Sequence, residues 1–484
     1  MSIERTLKFS VKDISFINDM RNIAVIGPSQ KDNFFFLRSH QENFKGDNIF
    51  VVHPTIKEIP DFDDGTKGKI FKSVKDIPVP IDYVFITVPP SQILTIMEDC
   101  AKKGVKLASI FTAKFSESGT KEGVDLERDL LKKAQNKVRI LGPNCMGFYY
   151  PKLGIAWRPK FPSTLGGNIG FIAQSGGMCN IAIYMANELG IKFSKVFSFG
   201  NGADLDLVDL LYFLSNDPET NIILVYVEGI KKGRGKLLKE ILAQNKKPII
   251  FLKGGKTETG SIAAKTHTAS LTGESRVWNT ILSKQYNAIE VDSLEQLLFA
   301  AKIIDCYGTF ELNNVAVFSI SGGYGVVLVD LIERDGMKVP PFSSEIQKEI
   351  DSKFFKLGTS SKNPLDVSAQ IYYSKIMCEV IDLALSDNKI DGLIMDLPTW
   401  YFSLDFQLKK DYTFEPNMIE ALSLGHKHRK PLFAIIQRVN CPEDRARVFQ
   451  KLNERKVPVF GDPLEFIPLL PKISKFANKI KNNL

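Results

Sequence analysis

No apolar run in the sequence approaches the ~20 residues needed to cross a bilayer. The opening, MSIERTLKFSVKD, lacks the apolar core of a secretory leader. Membrane insertion and secretion are therefore not expected. Cysteine is sparse: Cys100, Cys145, Cys179, Cys306, Cys378 and Cys441 lie far apart and form no C-x-x-C pair. That spacing argues against structural zinc and against a disulfide framework. Charge is not concentrated either. Against 55 acidic residues stand 63 basic ones, a net charge of +8 spread along 484 residues. A nucleic-acid surface gathers its basic side chains on one face, so no nucleic-acid partner is expected. With 44% apolar and 24% charged residues, the composition is that of globular domains rather than of disorder. At roughly 150 residues per domain the length predicts about three. The chain reads as a soluble, cytoplasmic protein.

Short β-branched and aromatic runs alternate with longer amphipathic stretches, the pattern of parallel strands joined by helical crossovers. NIAVIG (22–27), NIFVVHP (48–54), DYVFITVPP (82–90), KLASIFTA (106–113) and VRILGPN (138–144) predict a first, nucleotide-binding type of domain over 1–150. Between two of these runs, Ile93, Leu94, Ile96 and Met97 fall on one side of a predicted helix. GNIGFIAQSGG, KFSKVFSFGN, NIILVYVEG and KPIIFLKGG predict a second domain over 151–308. VAVFSISGG, DGLIMDLP, PLFAIIQ and VPVFGDP predict a third over 309–484. The tail LLPKISKFANKIKNN reads as a closing helix with a solvated basic face.

Several loops fall at the carboxyl ends of these strands, the edge where open parallel sheets collect ligands. Gly27 closes the first strand, but the two further glycines of a dinucleotide fingerprint are absent, and a plain strand-to-helix turn fits as well. VPPS (88–91) and GPNCMG (142–147) lie on the same edge. Two loops repeat one another: FIAQSGGM (171–178) and FSISGGYG (318–325) each place Ser-Gly-Gly between a strand and a long helix. Small residues there let an anion reach the first N–H groups, and the helix dipole favours the charge. Two copies suggest a phosphate held between opposed helix ends, although two ordinary N-caps would read the same. His267 stands in a loop rich in Gly, Ala, Ser and Thr, flanked by Thr266 and Thr268. Imidazole is a competent nucleophile toward phosphoryl groups when another group orients it. Glu228, closing NIILVYVEG, is the candidate orienter, with a solvated strand-end carboxylate as the plainer reading. His40, His53, His426 and His428 read as surface or satisfied core residues.

Taken together, these residues resemble the NDP-forming acyl-CoA synthetases, the superfamily of succinyl-CoA synthetase, and within it the α subunit of the archaeal-type ADP-forming acetyl-CoA synthetases. GPNCMG, AQSGG, SFGNGADLDLVDLL, DPETNIILVYVEG, THTASLTG and NPLDVSA (363–369) carry the likeness along nearly the whole chain. The resemblance implies an α/β fold of three doubly wound domains, a Rossmann-like CoA-binding domain followed by two flavodoxin-like ones. It implies phosphorylation of His267, with Glu228 positioning the ring and Ser175, Gly176, Gly177, Ser321, Gly322 and Gly323 holding the phosphoryl group. Coenzyme A would lie near Gly27, Ser29, Pro89, Asn144 and Cys145. The implied reaction interconverts acyl-CoA, phosphate and ADP with acid, CoA and ATP. The ATP-grasp module of the family has no counterpart here, so ADP or ATP and Mg2+ are expected on a separate β subunit, in a heterotetramer, with no metal site in this chain. A CoA- or acyl-CoA-sensing regulator without turnover is the alternative. Pro28 and Phe34–Phe36 depart from the family pattern after Gly27, and Lys114 stands where a glycine is usual. Trp400–Phe402, with Phe406, Tyr412 and Phe414, reads either as a docking surface for the partner or as a packed loop.

Overall fold

Three largely parallel sheets carry the chain, and their strands are apolar on both faces because helices cover both sides. The structure is a computed structural model and describes residues 11–60, 69–161, 166–268, 288–403, 413–439 and 441–482. The first sheet comprises β1 (Asn22–Ile26), β2 (Asn48–Val52), β3 (Ile70–Phe71), β4 (Tyr83–Ile86), β5 (Leu107–Ile110) and β6 (Arg139–Leu141), in the order β3-β2-β1-β4-β5-β6. That order reverses beside β1, which makes a crevice at the carboxyl ends of β1 and β4. The predicted helix forms over Ile93–Lys103 and buries Ile93, Met97, Cys100 and Ala101, before Gly104 ends it in the left-handed region at φ +78°.

At the end of β6 the chain crosses to a second sheet through β7 (Gly147–Tyr149), the one antiparallel member, paired with β9 (Phe193–Ser198). The remaining strands are β8 (Ile169–Ala173), β10 (Ile222–Val227), β11 (Ile249–Lys253) and β12 (Ala288–Val291), in the order β12-β11-β10-β8-β9-β7. One apolar core runs through both sheets. Phe148 sits edge-on to Tyr83 (centroids 4.9 Å apart) and stacks on Phe197 (5.9 Å), so its loss should cost about 3–5 kcal/mol. Polar ties reinforce the join: Asp204 accepts from Ile140 N (2.8 Å) and pairs with Arg139 (3.3 Å) and Lys12 (3.0 Å). Residues 1–294 accordingly form one compact unit.

Residues 295–484 form the second unit. Its sheet holds β13 (Val315–Ser319), β14 (Leu365–Asp366), β15 (Gly392–Asp396), β16 (Leu432–Ile435) and β17 (Val459–Phe460), all parallel, in the order β14-β13-β15-β16-β17. Helix Leu294–Tyr307, expected at the close of the second domain, packs on this third sheet. Phe299 meets Phe460 at 5.5 Å, and the Tyr307 hydroxyl donates to Leu432 O (3.3 Å). The closing helix Leu470–Asn482 buries Ile473, Phe476 and Ala477, so its apolar face belongs to the core, as expected for a tail with a solvated basic side. Among the described residues no helix is long and apolar enough to cross a membrane. Trp400 is half exposed, whereas Phe402 is buried against Phe414; Phe406 and Tyr412 lie outside the described residues.

Candidate phosphoryl and CoA site

Gly27 follows β1 at φ +79°, and a Cβ there would fall 2.6 Å from Val88 Cγ1, so only glycine lets the ends of β1 and β4 approach this closely. Thr87 locks the approach, its hydroxyl donating to Gly27 O at 2.8 Å. Ser29 caps the 3-10 turn Gln30–Asp32, and Pro89 leads into the turn before helix Ile93–Lys103. Gly27, Ser29 and Pro89 thus share the crevice edge of the first sheet. Asn144 joins that edge from β6, its N–H donating to Thr112 O (3.0 Å) at the end of β5. Cys145 turns inward: it is buried, its thiol donates to Leu141 O (3.3 Å), and burial pushes it up to about 12. Its backbone lies at the carboxyl edge of the first sheet, while its sulfur is buried in the core. The departures at Phe34–Phe36 have a packing role, since Phe34 is buried and Phe36 lies against Phe85 and Phe111. Lys114 takes φ +77°, held where its N–H donates to Glu117 Oε1 at 2.6 Å.

The first Ser-Gly-Gly turn opens helix Gly176–Glu188, and Ser175 Oγ accepts from Met178 N at 3.4 Å. The second opens helix Gly322–Arg334 with the same cap, Ser321 Oγ accepting from Tyr324 N at 3.4 Å. Each hydroxyl serves its own helix, so what either end presents to an anion is backbone N–H and dipole. Gly176 lies against Met146, with a Cβ 2.3 Å from Met146 Cγ, whereas a Cβ at Gly322 would meet Asp366 Oδ2 at 2.6 Å. The two turns belong to different compact units.

Glu228 follows β10, and it is not a solvated strand end: only 5% of it is exposed. Tyr226 donates to its Oε1 at 3.0 Å, and burial with this carboxylate alongside pushes the Tyr226 hydroxyl up. Gln174, immediately before Ser175, accepts from the backbone N–H groups of Glu228 (2.9 Å) and Gly229 (3.4 Å). That amide ties the carboxylate strand to the first Ser-Gly-Gly turn. Lys253, closing β11, donates to Glu228 O at 2.7 Å, and burial pulls its amine down. Sequence reasoning passed over both Gln174 and Lys253; AQSGG held the one signal, a polar residue just before the turn. β11 pairs with β10, and the segment after it forms helix Glu258–Thr268. The backbone of His267 therefore lies in the last turn of a helix rather than in a loop, and its side chain is outside what the structure describes. That helix packs against the 3-10 turn Ser116–Ser118 of the first sheet's domain. Beside it, Asn201 Nδ2 donates to Glu117 Oε2 (2.5 Å) and Glu127 Oε2 (2.9 Å).

The other described histidines are accounted for locally. His40 is buried with Nδ1 on Phe36 O (2.7 Å) and burial lowers it to about 4. His428 pairs with Asp382 at 2.6 Å, His426 meets Lys456 O, and His53 accepts from Thr55 N.

A CoA-type crevice joined to a flavodoxin-like ligase sheet defines the class. Residues 21–151 match a CoA binding domain, and 166–304 match a succinyl-CoA ligase like flavodoxin domain. The α subunit of ADP-forming acetate–CoA ligase I from Pyrococcus furiosus is 33% identical over 94% of this chain and 96% of its own length. The ADP-forming acetate–CoA ligase of Methanocaldococcus jannaschii is also 33% identical, over 73% of this chain, but the match spans 49% of that longer protein. Among solved structures, the Ca. Korarchaeum cryptofilum dinucleotide forming acetyl-coenzyme A synthetase 1 in complex with phosphate and ADP superposes with a TM-score of 0.81. It is 26% identical, and the match covers 98% of this chain and 99% of that one. The chain belongs to the family of ADP-forming acyl-CoA ligases and corresponds to their α subunit.

Proposed function

We propose that this chain is the catalytic α component of an ADP-forming acyl-CoA ligase working through a phosphohistidine. Phosphate attacks the thioester carbonyl of an acyl-CoA, and the C–S bond breaks to give acyl phosphate and CoA. A ring nitrogen of His267 then takes the phosphoryl group and releases the carboxylate. In the third step the phosphoryl group passes to ADP, freeing the imidazole. Each displacement becomes local because the group is carried covalently between partners. The N–H groups at Ser175–Gly177 and Ser321–Gly323 supply fixed positive dipoles for the moving phosphoryl. CoA lies along Gly27, Ser29, Pro89, Asn144 and the Cys145 backbone. ADP or ATP with Mg2+ belongs to a separate ATP-grasp β subunit, the two chains forming a heterotetramer in the cytoplasm.

One observation carries the reading. Glu228 is buried just past the carboxyl end of β10, tied by Gln174 to the first Ser-Gly-Gly turn and lying one strand from the helix that bears His267. A buried carboxylate in that place orients an imidazole and balances the charge it gains. A CoA sensor would need neither this carboxylate nor a histidine on the neighbouring crossover. The test is labelling with an acyl-CoA and radioactive phosphate. The chain should gain acid-labile, base-stable label, and His267→Ala should abolish it; full labelling of that variant would sink the assignment.

A further inference from the structure

Beside the first Ser-Gly-Gly turn and Glu228 lies a small cavity to which the three steps assign nothing. Gln174, which precedes Ser175, forms one side of it, and Gly229, which follows Glu228, forms another. Phe199, Leu207, Val208 and Ile230 give it apolar walls. It holds about 20 Å³, room for one water- or methyl-sized group. Gln174 is 5% exposed, and its amide can sit only one way round. The backbone N–H groups of Glu228 (2.9 Å) and Gly229 (3.4 Å) require its carbonyl oxygen on their side. Nε2 is therefore on the other side. It meets no acceptor among the described residues, and it is not one of the buried atoms left without a partner, so its N–H groups are open to an incoming ligand.

A donor on the wall of an apolar cavity suits a group with an oxygen acceptor at one end and hydrocarbon at the other. An acyl thioester is such a group, whereas phosphate has no apolar end. The remaining polar side chains of the lining do not compete. Asp206 is engaged by Arg234 (2.8 Å), Lys231 reaches Ala203 O (2.9 Å), and the unpaired Asn201 Oδ1 is an acceptor, which a carbonyl oxygen avoids. We propose that the cavity takes the acyl chain of the substrate and that Gln174 is a catalytic residue, its Nε2 donating to the thioester carbonyl oxygen.

As a phosphate oxygen bonds to the carbonyl carbon, the π pair moves onto the carbonyl oxygen, and the Gln174 N–H meets the developing charge. The pair returns as the C–S bond breaks, releasing acyl phosphate and CoA thiolate. Gln174 neither gains nor loses a proton. Because its own oxygen is anchored on Glu228 and Gly229, the donor is fixed before the charge appears, the condition under which such a donor counts most. The proposal rests on the reading of this chain as an acyl-CoA ligase, and its test bypasses the histidine step so that the two fail separately.

Arsenate replaces phosphate, because an acyl arsenate hydrolyses in water and the first displacement then turns over without His267. CoA release from acetyl-CoA and arsenate is followed with a thiol reagent, on the chain with its β subunit. Gln174→Glu keeps an oxygen for the two backbone N–H groups and loses the donor. It should lower kcat and kcat/KM alike by about 10²–10³-fold, the cost of one such donor. A change confined to KM, or near wild-type turnover, would overturn the role of Gln174. Should that variant fail to fold, Gln174→Met must show the same fall in kcat. Ile230→Ala, at a partly buried position of the wall, should raise the ratio of kcat/KM for butyryl-CoA over acetyl-CoA about tenfold; an unchanged ratio would refute the acyl pocket.

Discussion

Replacing Lys195 with methionine should destabilise the first unit by about 4 kcal/mol, and the structure says where that cost arises. Lys195 lies on β9 with no exposed surface. Its ammonium meets Asp217 at 2.9 Å and Glu219 at 2.7 Å, and sits 4.4 Å from the Tyr150 ring centroid. Glu219 would suffer little, since Lys152 and the Tyr150 hydroxyl still reach it; burial alone would raise it, but its three hydrogen bonds bring it down to about 2. Asp217 is the group that is stranded. It is fully buried, and without Lys195 its Oδ2 keeps the Thr220 hydroxyl at 2.7 Å and, among the described residues, no cation bonded to the carboxylate, since Lys247 bonds only the Asp217 backbone oxygen, at 2.6 Å. Removing one partner of a buried pair costs about 3–5 kcal/mol because the other charge stays behind. Adding Asp217→Asn to Lys195→Met should therefore recover about 2 kcal/mol rather than subtract more. Denaturant-dependent amide exchange of β8, β9 and β10 measures both values. A loss below about 1 kcal/mol for Lys195→Met, or a further loss on adding Asp217→Asn, would refute the reasoning.

Glu228→Gln should fold, since glutamine can keep the Tyr226 bond, yet lower phosphoryl transfer about 10²-fold in a coupled ATP assay with the β subunit. Wild-type turnover would reduce Glu228 to a structural group. Gly27→Ala should cost about 1–2 kcal/mol, from the left-handed φ and the Val88 contact, and weaken CoA binding measured by calorimetry. Cys145, its thiol raised to about 12 by burial, should resist alkylation at pH 8 in the native chain and react on unfolding. For Asp396, buried at the end of β15, the sign runs one way: the unfolded chain releases this proton near its ordinary 3.8 and the native unit near about 7, so stability falls as pH rises between them. About three units correspond to about 4 kcal/mol at most, and amide exchange of β13 and β15 should show that slope in the wild type but not in Asp396→Asn.

The apolar strand runs were legible because a strand covered on both faces can hold little else, as IGFIA and GLIMD show. The Ser-Gly-Gly turns were legible because N-cap chemistry is local. The helix around His267 was not: its Gly, Ser and Thr suggested a loop, while Ser261–Ala264 and Lys265 are compatible with continuing a turn once Glu258 starts it. Lys195 was hidden for a different reason. KFSKVF alternates as though lysine faced water, and nothing local tells that Asp217 and Glu219 return from the next crossover to meet it. Gln174 and Asp396 were hidden likewise, each deriving its meaning from a neighbouring strand.

The repeated turn itself shows how far a motif determines chemistry. Ser175 and Ser321 cap their helices with the same hydroxyl geometry, so by sequence the two ends are equivalent. Their surroundings differ. The first glycine of one lies against the apolar stem of Met146 and brings no charge of its own. The first glycine of the other lies against Asp366, and Asp396 stands behind its cap. At the second end the dipole is already partly spent on the Asp366 carboxylate, whereas the carboxylate tied to the first end, Glu228, is reached only through Gln174. Ionising Asp396 would add a second negative charge there, at the low effective dielectric where such charges matter most. The two ends therefore differ in the charge around them although their caps match.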